Sequence, residues 1–226
     1  MHVWIRRTDA LTEADLAAEI PLLSLEERER HARFRFARDR RDFAAAHALL
    51  RRSLSRYADL PPNEWVFQQE AGGKPSLGHG GVPPLSFNLS HTDGLVACAI
   101  ATGLDVGIDV ETVDRRVDVG VAERFFSAAE NAGLRRSASA GIRASRFFEL
   151  WTLKEAYVKA LGQGLSHALD TIVFQVDGGT ILFTPPPGID AASWQFALFS
   201  PTDRHRLAVA ARRGRQALSI ELFASE

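Results

Sequence analysis

The chain has 226 residues, 27 lysines and arginines against 28 aspartates and glutamates, and a formal net charge of −1. That length carries one large domain or two small ones with an ample core, and the balanced charge argues against a nucleic-acid binder held by bulk electrostatics. The single cysteine, Cys98, excludes an internal disulfide and a cysteine-rich zinc site. Residues 1–7 show no signal-peptide hydrophobic region and no apolar run approaches membrane-spanning length, so a soluble cytoplasmic protein is expected.

In chain order, residues 2–7 predict a short strand. Residues 11–20 and 24–36 predict helices, the second opening on Ser24 and Glu27 in capping-box spacing. A longer amphipathic helix is expected over 39–57, with Phe43, Ala46, Leu49, Leu50 and Leu54 on its apolar face and Pro61-Pro62 closing the segment. A strand over 65–69 and a turn-rich loop over 71–84 come next. Residues 85–89, 95–101 and 105–110 predict strands, with turns at Thr92-Asp93-Gly94 and Thr102-Gly103. Helices are expected over 119–126 and 127–134, and the Ala- and Ser-rich stretch 137–144 leads into a central helix. Strands are expected again over 171–176, 180–183, 193–199, 206–211 and 217–223. Strands that come in runs favour an antiparallel α+β fold over a doubly wound parallel sheet.

The central helix covers 146–161. At 100° per residue, Phe147, Leu150, Trp151, Tyr157, Val158 and Leu161 form one broad apolar face, and Gly162 and Gly164 stop it. Glu155 and Lys159 lie one turn apart on its flank. An isolated pair of this kind is worth a few tenths of a kcal/mol, roughly. However, the chain has only three lysines, Lys74, Lys154 and Lys159, and writes every other cation as arginine. A retained lysine suggests a site that wants a compact point charge. Lys154 projects into the apolar arc, where a buried ammonium needs an anionic partner.

Asp109 and Glu111 alternate with Ile108 and Val110 in a strand, so both carboxylates share one face. With Glu155 they give three hard oxygen ligands, the inventory for Mg²⁺ bound together with substrate phosphates. A wet strand face is the plainer alternative. Ser90 and His91 are adjacent at a strand end, too poorly placed to serve as nucleophile and base to each other but able to hydrogen-bond a phosphate. Ten arginines stand between Arg28 and Arg56 (28, 30, 33, 35, 38, 40, 41, 51, 52 and 56) against Glu29, Asp39 and Asp42. That excess suits an anionic ligand or an acidic partner, or else a solvated helix face.

Gly73-Lys74-Pro75, Phe87-Asn88-Leu89-Ser90-His91, Gly107-Ile108-Asp109-Val110-Glu111 and Trp151-Thr152-Leu153-Lys154-Glu155-Ala156-Tyr157-Val158-Lys159 occur in that order. Together with Arg124-Phe125-Phe126-Ser127 and Gly162-Gln163-Gly164-Leu165, they resemble the signature motifs of the surfactin-type 4′-phosphopantetheinyl transferases, over about residues 22–211. The resemblance implies an α+β (α/β) fold of two similar subdomains, 1–103 and 104–226, related by pseudo-twofold symmetry, with coenzyme A in the cleft between them. It implies Mg²⁺ on Asp109, Glu111 and Glu155, with Lys159 on the transferred phosphate. Lys74 is expected at the nucleotide end, and Ser90 with His91 at the 3′-phosphate. Arg30 matches a basic position near coenzyme A, whereas Glu27 stands where a second lysine is often found.

The implied reaction transfers 4′-phosphopantetheine from coenzyme A to a serine of an apo acyl or peptidyl carrier protein, releasing adenosine 3′,5′-bisphosphate. Glu155 is expected as the base, directly or through water, with Glu130 its rival; Lys154 is expected to support the carboxylate cluster from the core. Arginines of the 28–56 stretch and apolar residues after Phe125 are expected to dock the carrier, and the enzyme is expected to act as a monomer. A Mg²⁺-dependent pyrophosphate hydrolase is the competing reading, since it needs the same carboxylates and lysines but no protein acceptor.

Overall fold

The computed structural model describes residues 1–69, 73–78, 83–114, 119–162, 169–214 and 217–225. Gln163, Gly164 and Leu165 of the motifs lie outside them. In chain order the elements are β1 (His2–Arg7), α1 (Glu13–Glu19), α2 (Leu25–Arg33), α3 (Ala37–Leu54), β2 (Phe67–Gln69), β3 (Pro75–Leu77), β4 (Leu85–Thr92) and β5 (Leu95–Thr102). There follow β6 (Asp105–Thr112), α4 (Val119–Phe125), α5 (Ala128–Arg135), α6 (Ala140–Leu161), β7 (Val173–Asp177), β8 (Thr180–Thr184), β9 (Trp194–Phe199), β10 (His205–Arg212) and β11 (Glu221–Ala224). No helix among the described residues is long and apolar enough to cross a membrane.

The chain forms two compact units, Met1–Asp105 with Ser219–Glu226, and Val106–Leu218. The last residues therefore join the first unit rather than the second. The cause is a parallel pairing of β11 with β1, in which Trp4 sits opposite Phe223. Their rings stack at 4.5 Å, and the Arg56 guanidinium lies 4.6 Å over the Trp4 ring. Sequence periodicity supplies the strand but not its partner 220 residues away in the chain, roughly.

In the first unit the sheet order is β11-β1-β5-β4. β5 lies between two strands, and residues 95–101 are all buried, which is why they read as an unbroken apolar run. Gly94 turns the β4–β5 hairpin with φ 85°, a conformation glycine adopts without Cβ strain. α3 lays Leu49, Leu50 and Leu54 against Trp65, Phe87 and Ile100, each side chain adding about 1.5–3 kcal/mol on full burial. Its other flank packs Phe43, Ala44 and Ala48 on Leu23. The Ser24–Glu27 capping box is present, but α2 ends at Arg33 and Phe34 is extended, so the helix expected to run to 36 is shorter. β3 forms within the expected loop by pairing with β2.

The second unit has a three-stranded sheet, β6-β10-β9, and a β7–β8 hairpin. α6 is capped by Ser139, which accepts from the Ile142 amide, and ends at Gly162 with φ 69°. From Phe147 to Ala160 it is buried around most of its circumference, including Phe148, Thr152, Leu153 and Ala156. The single apolar face expected from periodicity is a correction: Trp151 and Leu161, placed on that face, are only half-buried. A helix packed on more than one side loses its polar face, and with it the periodic signal.

Candidate active site

In β6 the side chains alternate as expected. Asp109 is 6% exposed and Glu111 half-buried on one face, while Ile108 and Val110 enter the core. α6 lies directly on this strand because position 107 has no side chain. A Cβ on Gly107 would fall 2.0 Å from the Ala156 carbonyl oxygen and 2.5 Å from the Ala160 amide nitrogen. A glycine inside a strand marks such a close backbone approach.

The crossing brings the flank of α6 onto the carboxylates. Lys159 Nζ lies 2.6 Å from Asp109 Oδ1 and donates to the Ile108 carbonyl at 3.2 Å. Glu155, one turn earlier, has its Oε1 buried with no hydrogen bond among the described residues. Burial and the charge of Asp109 push its carboxyl up to about 7, with Glu111 adding to the rise and Lys159 opposing it. Glu155 and the β6 carboxylates therefore share one field, which a cation would relieve.

Among the described residues no three His, Cys, Asp or Glu side chains are arranged to hold an ion by themselves. The described residues thus form no closed protein cage. That leaves an open site, the form in which Mg²⁺ is usually held, by one or two carboxylates with waters and substrate phosphates. The orphaned Glu155 oxygen and the crowded charge fit that use. Cavities of about 430 and 350 Å³ in this unit, both bordered by Glu149 and Val176, are not lined by these residues.

Lys154 finds its anion elsewhere. It is fully buried, 3.0 Å from Glu130 Oε2, and donates to the carbonyls of Leu169, at 2.8 Å, and Ile172. All three ammonium protons are used. Burial lowers its pKa while Glu130 opposes the change. Glu130 also accepts from the Ser127 amide at 2.7 Å, closing the capping box of α5, and from the Phe174 amide at 3.0 Å. Lys154 thus ties α6 to α5 and β7 rather than bracing Asp109 and Glu111 from below.

In the first unit Ser90 and His91 occupy adjacent positions of β4. Ser90 is buried and His91 exposed, because successive residues of a strand face opposite ways. Lys74 is half-buried at the start of β3, following Gly73 at φ 82°. Arg30 is exposed on α2 with its guanidinium 5.4 Å over Phe43. Glu27, standing where the motif often has lysine, is the hub of a half-buried network: it meets His47 Nδ1 at 2.8 Å and Arg51 Nη2 at 2.8 Å. The arginines of 28–56 are consequently not one surface. Arg51 is 1% exposed, and Arg40 donates to the Phe34 carbonyl. Phe126 and Leu134, among the apolar residues expected to dock a partner, belong to the core.

Comparison with known proteins agrees with the motifs along nearly the whole chain. The description "4′-phosphopantetheinyl transferase superfamily" matches residues 105–210, and "4′-phosphopantetheinyl transferase, N-terminal" matches 10–103. The 4′-phosphopantetheinyl transferase psf-1 of Bacillus pumilus is 33% identical over 208 residues, covering 91% of this chain and 86% of its own length. The chain belongs to the 4′-phosphopantetheinyl transferase superfamily. It is a surfactin-type transferase, an enzyme that moves 4′-phosphopantetheine onto carrier proteins. The 4′-phosphopantetheinyl transferase HetI of Nostoc is 37% identical over 168 residues, covering 74% of this transferase and 70% of HetI. Among solved structures, holo-[acyl-carrier-protein] synthase of Thermotoga maritima is 27% identical with TM-score 0.41, covering 50% of this chain and 65% of that one.

The crossing glycine was in view within Gly107-Ile108-Asp109-Val110-Glu111, and its interior place in a strand was the signal for its role. The Lys154–Glu130 pair had no local signal beyond the demand of a buried ammonium for some carboxylate.

Proposed function

We propose that this transferase takes coenzyme A as donor, requires Mg²⁺, and releases adenosine 3′,5′-bisphosphate as it loads a serine of an apo acyl or peptidyl carrier protein. The observation that carries this is the crossing of α6 over β6 at Gly107, which sets Lys159 on Asp109 and leaves a buried oxygen of Glu155 with no hydrogen bond among the described residues. Asp109, Glu111 and Glu155 would hold the ion jointly with waters and the phosphates of the donor. When bound it would supply positive charge to the pyrophosphate oxygens and the leaving group.

The serine oxygen attacks the β-phosphorus, the bond from that phosphorus to the oxygen of adenosine bisphosphate breaks, and the hydroxyl proton leaves. Little covalent chemistry is asked of the protein; positioning and charge neutralisation dominate. Lys159 is the group that donates to the transferred phosphate, exchanging part of its contact with Asp109 for the incoming oxygens. Glu155 takes the proton, directly or through one water. Glu130 does not compete for that role, since both of its oxygens are engaged in the core. Arg30, Lys74, Ser90 and His91 are assigned to the phosphates and nucleotide of the donor; Arg30 and His91 are exposed to solvent. The acceptor is protein rather than nucleic acid, and the enzyme works as a monomer.

Intact-mass spectrometry of an apo carrier protein incubated with the enzyme, coenzyme A and Mg²⁺ tests this reading. A gain of one phosphopantetheinyl group, abolished by chelation and by Glu155→Ala, is the expected result. Cleavage of coenzyme A with no carrier modified would replace it with the hydrolase reading.

A further inference from the structure

The segment from Arg28 to Arg41 holds seven arginines against Glu29 and Asp39, a formal +5 in a chain whose total is −1. Several of these cations are committed to the protein. Arg28 donates to the Leu23 carbonyl, Arg40 to that of Phe34, and Arg41 lies 3.5 Å from buried Asp42. Arg33, Arg35 and Arg38 differ in exposure: all three face solvent, Arg33 at 77% although it lies 3.5 Å from exposed Glu29, and Arg38 at 57% although it lies 3.6 Å from Asp39. Between them stands Phe36, 59% exposed, with Arg35 5.5 Å over its ring.

Phe36 also occupies a position that helix chemistry would give to another residue. It is the N-cap of α3, in extended conformation, and makes no side-chain cap hydrogen bond. Ser, Thr, Asp or Asn there would accept from an orphaned amide of the first turn and stabilise the helix by about 1 kcal/mol. A large exposed aromatic at this point breaks a local rule with no compensating burial, and such breaks are expected where function requires them. An exposed aromatic with an arginine over its ring has the composition of a binding hot spot.

We propose that Phe36, with Arg33, Arg35 and Arg38 beside it in the chain, is a docking patch for the acidic surface of the carrier protein. The proposal rests on the transferase reading and narrows the docking surface expected of the 28–56 arginines to these residues. Charge complementarity selects the occupant: three exposed guanidiniums and the positive end of the α3 dipole repel a basic partner and attract an acidic one. The place suits it as well. Arg38 is 3.8 Å from Asp93 in the β4–β5 turn, two residues beyond His91. The patch therefore adjoins the residues assigned to the donor, without including Arg30.

The test is steady-state transfer to an apo acyl carrier protein of net negative charge, with KM measured separately for carrier and for coenzyme A. Arg33→Glu, Arg35→Glu and Arg38→Glu combined should raise the carrier KM about tenfold or more at low ionic strength. The same protein should lose most of the salt dependence of kcat/KM, and the KM for coenzyme A should stay within about twofold, as befits rim charges. Phe36→Ser should raise the carrier KM several-fold while the melting temperature holds or rises, an outcome no purely structural role of Phe36 would give. An increase confined to the coenzyme A KM would overturn the proposal in favour of a donor contact. Unchanged constants for both substrates would reduce the patch to a solvated face. Failure of the unaltered enzyme to load any carrier would overturn the transferase reading and this proposal together.

Discussion

Gly107 and Ala156 meet backbone to backbone: a Cβ on residue 107 would lie 2.0 Å from the carbonyl oxygen of Ala156. That contact sets how close α6 comes to β6, and therefore where Glu155 and Lys159 stand relative to Asp109. Gly107→Ala is expected to destabilise the protein by about 3 kcal/mol or more, because the clash is with backbone that cannot rotate away. Transfer should fall even below the melting transition. Urea denaturation and a turnover assay read both effects; a variant with unaltered stability and activity would refute the crossing.

Glu155→Gln keeps the shape of the side chain and removes its charge. Turnover should fall about 100-fold or more if the carboxylate takes the serine proton. Folding should be unharmed or improved, since Glu155 no longer repels Asp109 and Glu111. Near-normal turnover in this variant would remove Glu155 from the mechanism.

Lys154→Met leaves Glu130 buried without its cation. The expected loss is about 3–5 kcal/mol, the usual penalty for one uncompensated member of a buried pair. Glu130→Gln alone should also destabilise, and combining the two should recover much of the loss. Chemical denaturation of the four proteins as a double-mutant cycle measures the coupling. Simple additivity would contradict the pair.

Glu27 provides the pH dependence. Burial raises its carboxyl, but hydrogen bonding and charge from His47, the Ser24 amide and Arg51 override that and hold it at about 2, below the ordinary value of 4.5. A depressed folded pKa means that the folded state binds the proton more weakly than the unfolded state does. The resulting stabilisation is complete above about pH 4.5 and is lost as pH falls toward about 2. Denaturation midpoints across that window should fall steeply for the unaltered protein and less steeply for Glu27→Gln. Glu27→Lys, which restores the residue often found there, should destabilise the fold by placing a cation against Arg51.

Much of this protein was determined by local sequence. Ser24 and Glu27 specified a capping box, and Gly162 specified a left-handed helix end; both formed, because such signals act within one turn of the chain. The alternation of β6 placed Asp109 and Glu111 on one face for the same reason. The motifs carried the family, and the comparisons agree with them. Tertiary structure decided what periodicity does not encode. It chose Glu130 as the partner of Lys154, sent the last strand back to β1, buried α6 on more than one side, and paired half-buried Glu27 with His47 and Arg51. Each of these joins residues distant in the chain, and the free energy that selects them comes from desolvation, which exists only once the distant surface has arrived.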